Sequence, residues 1–240
     1  MELKELLQKN LQQASTLPMP ENTYATLNNQ GDYAYLSIAP GIINKHFTSE
    51  QLVVLAQAAK NGAVKYSASH TLLVTIPQEE VEDTVEQLTK AGLYVVPKGA
   101  CAVLKCCDFC DGERLEALPL LKEMLQKIEG MAAKKRLRIG FNACASACYN
   151  AVYDDIALIY HDGHVDLLAG AVQMGRHAKP GKLLIRKVPE IFVITLVKKL
   201  IDRYSAESRE NETFAAYIKR HPQLSEWLEE VWRQEEQKHE

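Results

Sequence analysis

Short apolar runs alternate with longer segments of helical periodicity through the first half of the chain. The run Tyr33–Ile38 predicts a strand, and Ser49–Lys60 predicts a helix that begins with a capping box formed by Thr48 and Gln51. The segments that follow predict two strands, a second helix and a last strand, at Val64–Ser67, Thr71–Ile76, Gln78–Lys90 and Tyr94–Pro97. The first half therefore has the order β-α-β-β-α-β.

The second half mixes strands and helices in a different order. Strands are predicted at Cys101–Cys106, Leu137–Phe141, Ile156–Tyr160, Val165–Leu168 and Leu183–Val188. Helices are predicted at Glu113–Glu129, Ala145–Val152, Pro189–Tyr204, Glu210–His221 and Gln223–Gln234. We therefore expect an α+β protein with an N-terminal arm (1–31), a ferredoxin-like half-domain (32–97) and an α/β domain with C-terminal helices (98–240). The term ferredoxin-like describes topology alone.

Composition narrows the class of protein. The chain has 240 residues, a formal net charge of −3 and 47% hydrophobic residues, which is enough for a sizeable core. Its slight acidity argues against a general nucleic-acid binder, and no apolar run is long enough to span a membrane. No signal peptide is recognised, so we expect a cytoplasmic protein.

Cysteine is the residue type that points to chemistry. All six cysteines fall in two clusters, made of Cys101, Cys106, Cys107, Cys110 and of Cys144, Cys148. Disulfides are rare in the cytoplasm, so clustered thiols there indicate soft-metal ligands. The second cluster follows a predicted strand and opens the predicted helix Ala145–Val152, where the helix dipole would favour a thiolate.

Spacing leaves two ligand sets open. One is a zinc site that combines Cys107-x2-Cys110 with Cys144-x3-Cys148. The other is a [4Fe–4S] cluster that combines Cys101-x5-Cys107 with the same downstream pair.

The surrounding sequence resembles the sulfite and nitrite reductase family, over roughly Asp32 to Trp227. The resemblance rests on Cys101-x5-Cys107, Cys144-x3-Cys148, Asp155-Ile-Ala, Pro40-Gly41, Thr48-Ser-Glu-Gln51 and Ala91-Gly-Leu93. It implies that a [4Fe–4S] cluster beside a sirohaem is held by Cys101, Cys107, Cys144 and Cys148. It also implies that Cys148 bridges the cluster to the sirohaem iron, which leaves Cys106 and Cys110 surplus.

Basic residues are the candidates for binding anions. Arg136 and Arg138 lie two apart on an incipient strand, and the resemblance places them where the family has a Lys-x-Lys pair beside the substrate anion. We therefore expect these two arginines to act in catalysis by neutralising developing oxide charge. Arg176, His177 and Lys179, with Lys182, lie in a glycine-bearing loop and are candidates for binding the sirohaem carboxylates.

Two differences from the family affect the expected identity of the substrate. Leu36, Ile38 and Ser69 stand where the family usually has arginines, and the chain has one unit where most members have two. We therefore interpret the chain as a single-unit form that resembles the low-molecular-weight assimilatory-type sulfite reductases. Two copies of such a unit could associate as a homodimer.

The expected function is reduction of a small oxyanion, sulfite or nitrite, with electrons from an external donor such as a ferredoxin-like protein or a reductase subunit. Two alternatives stay open: a non-catalytic sirohaem or iron–sulfur electron carrier, and a zinc-stabilised structural module.

Overall fold

The computed structural model describes residues 32–43, 45–60, 62–67, 70–112 and 115–239. It divides into two compact units. The first unit contains the described residues up to Pro40 together with His46–Val95, and the second contains those of Gly41–Lys45 together with the chain from Val96 onward. The predicted arm, 1–31, lies outside the described residues.

The first unit has the predicted β-α-β-β-α-β order. Its elements are β1 (Tyr33–Ala39), α1 (Ser49–Ala59), β2 (Val64–Tyr66), β3 (Leu72–Pro77), the 3-10 turn Gln78–Glu80, α2 (Val81–Lys90) and β4 (Tyr94–Val95). The described strands pair in the order β2-β3-β1-β4, and every pairing is antiparallel. The ferredoxin-like topology is therefore confirmed.

A polar capping box and an apolar core fix the geometry of this unit. The Thr48 hydroxyl accepts a hydrogen bond from the Gln51 amide at 3.1 Å, and the Gln51 side chain accepts one from the Thr48 amide at 3.1 Å. Beneath α1, Leu36 and Ile38 of β1 belong to the buried core. Both side chains are therefore used for packing rather than for binding an anion.

The second unit carries a five-stranded sheet within the described residues. Its strands are β5 (Ala102–Cys106), β6 (Leu137–Asn142), β7 (Ile156–His161), β8 (His164–Ala169) and β9 (Lys182–Pro189), in that spatial order. Its helices are α3 (Phe109–Gly112), α4 (Leu118–Lys127), α5 (Glu190–Glu207), α6 (Phe214–Arg220) and α7 (Leu224–His239). The pairs β5–β6 and β6–β7 are parallel, whereas β7–β8 and β8–β9 are antiparallel, so the predicted α+β class is confirmed.

The two faces of this sheet differ in polarity. Leu104, Ile139 and Leu158 share one face and belong to the buried core that also contains residues of α4 and α5. Because side chains alternate along a strand, Lys105, Arg138 and Asn142 share the opposite face. The polar face lies next to the segment that joins β6 to β7, which runs through the 3-10 turn Asn150–Tyr153.

Several predicted helices differ from those observed, the last two mainly in their bounds, Phe214–Arg220 and Leu224–His239. The helix predicted at Ala145–Val152 is wrong, because the chain there forms a loop and then the short 3-10 turn. Helix α4 begins at Leu118, where Pro119 suits the first turn, rather than at Glu113, which lies outside the described residues. Helix α5 begins at Glu190, with Pro189 one residue outside it. No described helix combines the length and the apolar character needed to cross a membrane.

Candidate functional site

The cysteines lie at two different edges of the second sheet. Since β5 and β6 are parallel, their carboxyl ends meet at one edge, where Cys106 ends β5, Cys107 follows it and Cys144 follows β6. Cys101 precedes β5, and its carbonyl accepts a hydrogen bond from the Leu137 amide at the start of β6. The intervening strand separates Cys101 from Cys107 by about 20 Å, at about 3.3 Å per residue.

This separation corrects the predicted ligand set. A single cluster cannot be held by two thiolates that stand at opposite ends of one strand. Cys101 is buried, and its sulfur donates to the carbonyl of Lys98 at 3.3 Å. Cys110, which was considered surplus, instead lies in α3 shortly after Cys107, beyond the carboxyl end of β5.

Cys107 contacts the second cysteine segment. Its amide donates to the carbonyl of Phe141 at 3.0 Å, and its sulfur accepts a hydrogen bond from the Ala143 amide at 3.3 Å. Ala143 directly precedes Cys144, so the two segments meet at this edge.

Cys106 is in a different environment. Its side chain is 1% exposed, its sulfur donates to the carbonyl of Ile42 at 3.2 Å, and burial raises the pKa of the thiol to about 12. Cys106 therefore packs in the core of the second unit, and its status as surplus stays a prediction.

Both cysteine segments contain backbone conformations that non-glycine residues rarely adopt. Phe109 and Cys110 have φ values of 56° and 53°, and Ala147, between Cys144 and Cys148, has a φ of 45°. The Cys110 amide donates to the Asp108 carboxylate at 3.1 Å, which supports this conformation. Strain of this kind tends to persist at functional sites, where the surroundings hold the chain in place.

The donor set has the chemistry of an iron–sulfur site. Cys107, Cys110, Cys144 and Cys148 supply four thiols, which is the usual ligand set of a [4Fe–4S] cluster. Across the described part of the chain, no three His, Cys, Asp or Glu side chains are arranged to hold one metal ion. Four cysteines are also a ligand set of tetrahedral zinc, so the residue types fit a cluster and leave the zinc alternative open.

The loop between the downstream cysteines replaces the predicted helix. Cys144 is half-buried and Cys148 is exposed. The side chain of Asn142, the last residue of β6, donates to the carbonyl of Tyr149 at 3.1 Å and accepts from the Tyr149 amide at 3.2 Å. The explanation of thiolate stability by a helix dipole is therefore wrong for this pair, because no helix begins at Cys144.

Arg138 lies in a buried charge network. Its amide and its Nε both donate to the Asp155 carboxylate, at 2.9 and 3.1 Å, and its Nη1 contacts Gln173 Oε1. Asp155 is 8% exposed, so this carboxylate depends on the guanidinium for neutralisation. Arg138 is therefore committed to an internal partner, which weakens its expected role as an anion ligand.

Arg136 is more available than Arg138 for binding an anion. It is exposed and precedes β6, and its Nη1 donates to the carbonyl of Pro97 at 2.9 Å. Nearby on the polar face, burial lowers the pKa of Lys105 and raises that of Asp154 to about 6, although Lys105 and Arg138 oppose the shift at Asp154. Sequence reasoning missed Lys105 and Asp154, because nothing in their spacing marks them as buried.

The predicted carboxylate-binding residues lie on an exposed hairpin between β8 and β9. Val172 and Lys179 exchange two backbone hydrogen bonds of 2.9 Å. Arg176, His177 and Lys179 are exposed, and the Nε of Arg176 donates to the His177 ring at 3.1 Å. The hairpin follows Gly170, whose amide donates to the Asp155 carbonyl, so it begins at the same sheet edge as Arg138. Of the positions that lack family arginines, Ser69 lies outside the described residues.

A family model agrees with this site. The model described as the nitrite and sulphite reductase 4Fe-4S domain matches residues 100–238. The chain belongs to this family of iron–sulfur domains.

Individual relatives differ in name and in length. A cobalt-factor III methyltransferase from Priestia megaterium is 33% identical over 186 residues, covering 77% of this chain and 34% of that protein. The crystal structure of dissimilatory sulfite reductase I has a TM-score of 0.61 at 12% identity, over 78% of this chain and 66% of that one. The Mycobacterium tuberculosis NirA structure has a TM-score of 0.63 at 16% identity, and the match covers 84% of this chain and 40% of that one. The chain thus spans about a third of the first relative, and the structural matches show the fold alone.

Proposed function

We propose that this chain is a redox module that holds a [4Fe–4S] cluster on Cys107, Cys110, Cys144 and Cys148 and exchanges single electrons with a metal-bearing tetrapyrrole of the sirohaem class. The observation that carries the proposal is that these cysteines follow the adjacent carboxyl ends of β5 and β6. When bound, the cluster supplies one-electron storage. The protein supplies the four cysteines, and the Ala143 amide donates a hydrogen bond to the sulfur of one of them, Cys107.

A tetrapyrrole partner is supported by two observations. The relative from Priestia megaterium is named for its action on cobalt-factor III, and a cobalt factor and sirohaem are both metal complexes. In this chain, Arg176, His177 and Lys179 stand exposed on one hairpin, where they can pair with ligand carboxylates. Cys148 is exposed and remains our candidate for the thiolate nearest the tetrapyrrole metal.

Reduction of sulfite or nitrite is the second candidate function, with electrons from an external donor. It is favoured by Arg136, whose exposed guanidinium has donors beyond the one used for Pro97. Against it stand the packing of Leu36 and Ile38 in the core and the pairing of Arg138 with Asp155. These features favour electron exchange over oxyanion reduction as the primary function.

Spectroscopy of anaerobically purified protein tests the proposal. We expect about four iron and four sulfide per chain, a visible band that bleaches with dithionite, and an electron paramagnetic resonance signal on reduction. Pigment extracted into acidified acetone, or sirohaem added to the protein, should give tetrapyrrole absorption bands shifted by binding. A colourless protein that contains one zinc per chain would overturn the proposal.

A turnover assay separates the two candidate functions. With reduced methyl viologen as donor, oxyanion reduction predicts consumption of sulfite or nitrite that Arg136→Ala abolishes. Arg186→Ala, which removes an exposed arginine from β9, is the matched control. Electron exchange alone predicts full cluster loading with no turnover of either anion.

A further inference from the structure

The two downstream cysteines lie on a loop that one buried side chain closes. Asn142 is 1% exposed at the end of β6, whereas the residues from Cys144 to Asn150 are half-buried or exposed. Its amide group makes both hydrogen bonds to the backbone of one residue, Tyr149, at 3.1 and 3.2 Å. The segment from Asn142 to Tyr149 is therefore a ring closed by a side chain.

Other hydrogen bonds also involve this segment. The Ala147 amide donates to the Cys144 carbonyl at 3.2 Å, and the Ala143 amide donates to the Cys107 sulfur at 3.3 Å. Ala147 has a positive φ, which is a conformation that the loop does not favour by itself. The ring closure by Asn142 thus opposes relaxation of the segment that carries both sulfurs.

We propose that Asn142 is a positioning residue that holds Cys144 and Cys148 in the geometry a bound cluster requires. Asn142 would act by fixing the ends of the loop, so that both sulfurs are oriented before iron binds. Asparagine suits this position because its side-chain amide combines an NH₂ donor group with a carbonyl oxygen acceptor. Aspartate cannot donate, and alanine can do neither. The consequence for the cluster rests on the proposed function, whereas the loop closure does not.

The experiment compares anaerobically purified wild-type protein with Asn142→Ala and Asn142→Asp. Two quantities are measured: the rate of iron release to an excess chelator, and the hydrogen exchange of the Tyr149 amide. Loss of a residue that supports metal ligands typically weakens metal binding by about tenfold or more, and we expect Asn142→Ala to release iron about tenfold faster than wild type. The Tyr149 amide should exchange about tenfold faster as well, because it loses its acceptor. Asn142→Asp keeps the acceptor but loses the donor, so both rates should be intermediate.

Two control variants separate positioning from general weakening of the fold. Asn150→Ala removes the same side chain from an exposed site at the start of the 3-10 turn that follows the loop, and it should leave both rates unchanged. Ile201→Val weakens the core at α5 without touching the loop and should also leave iron release unchanged. If Ile201→Val releases iron as fast as Asn142→Ala at equal loss of global stability, the positioning role is refuted.

Each remaining outcome is decisive. Unchanged exchange at Tyr149 in Asn142→Ala would refute the loop closure, and faster exchange with unchanged iron release would refute its role in positioning ligands. If wild-type protein contains no cluster, the proposed function fails and the reactivity of Cys144 and Cys148 toward a maleimide replaces iron release. Equal maleimide rates in wild type and Asn142→Ala would then refute the inference, and an increase in the variant would support it.

Discussion

At the scale of single residues, the spacing of two cysteines has a different meaning across a strand than within a loop. Cys101 and Cys107 have five residues between them, as paired ligands often do, but β5 occupies that interval and separates the two cysteines. Cys107 and Cys110 are closer in sequence and lie beyond the strand. Only the location of the end of β5 distinguishes the two cases.

The sequence predicts that the cysteines are metal ligands, but it does not decide which four act together. The strand predicted at Cys101–Cys106 forms at Ala102–Cys106. The spacing of Cys101 and Cys107 matches a ligand motif, but this strand places the two residues at its opposite ends. Arg138 is a similar case, because its buried partner Asp155 is 17 residues away and cannot be found from periodicity.

Glu129 gives a prediction on pH dependence. One carboxylate oxygen accepts from the Leu104 amide at 2.6 Å, and the other is buried with no hydrogen-bond partner among the described residues. Burial raises the pKa of this carboxyl from 4.5 to about 7. The stability that comes from the protonated form is therefore fully present below about pH 4.5 and is lost as pH rises through about 7.

We expect the free energy of unfolding of the wild-type protein to fall between pH 5 and pH 8. In Glu129→Gln, which mimics the protonated form, the fall should be smaller by roughly 1–3 kcal/mol. Urea denaturation at several pH values measures the difference. Glu123→Gln, on the exposed side of the preceding helix α4, should keep the wild-type profile. A profile unchanged in Glu129→Gln would contradict the prediction.

At the scale of secondary structure, local signals predicted elements well where they agreed with packing. The Thr48–Gln51 capping box formed as predicted, because it depends on a few adjacent residues. The helix predicted at Ala145–Val152 failed, although alanine favours helices. There the side chain of Asn142 binds the Tyr149 backbone instead, and such local bonds compete with helix formation.

Gly140 gives a prediction at this scale, because the segment from β6 to β7 crosses directly over it. A Cβ at this position would lie 2.5 Å from Asp154 Oδ2 and 2.7 Å from Cα and Cβ of Ala151. We expect Gly140→Ala to lower the free energy of unfolding by about 3 kcal/mol through over-packing, as measured by urea denaturation.

Gly130→Ala is the comparison variant. A Cβ there meets no atom within 4 Å, so its cost of about 1 kcal/mol comes from the φ of 75° alone. If Gly140→Ala lowers the free energy of unfolding by no more than Gly130→Ala does, the segment from β6 to β7 moves away from the new Cβ without loss of stability, and the prediction is wrong.

At the scale of the whole molecule, the chain has one ferredoxin-like unit and one iron–sulfur unit. The predicted boundary at 97–98 and the predicted homodimer remain predictions. In the first unit, β2 is an edge strand whose Val64 and Tyr66 side chains are exposed, and Leu52 and Val53 are exposed on α1. Exposed apolar residues on an edge strand favour association with another chain.

We therefore predict self-association through residues 32–97. Sedimentation at micromolar concentration should give about twice the chain mass of 26.9 kDa. Replacing Val64 and Tyr66 by lysine should shift the protein toward monomer, whereas replacing Leu115, an exposed apolar residue of the second unit, should have no effect. A wild-type protein that is monomeric with its cluster bound would contradict this prediction.

The proposed cluster ligands are Cys107, Cys110, Cys144 and Cys148, at the carboxyl ends of β5 and β6. Metal analysis of two cysteine variants tests this assignment. Iron and acid-labile sulfide are counted in anaerobically purified Cys101→Ser and Cys110→Ser. We predict that Cys101→Ser keeps about four iron per chain, because its thiol lies at the opposite edge, and that Cys110→Ser loses the [4Fe–4S] cluster. A cluster retained in Cys110→Ser and lost in Cys101→Ser would contradict the account.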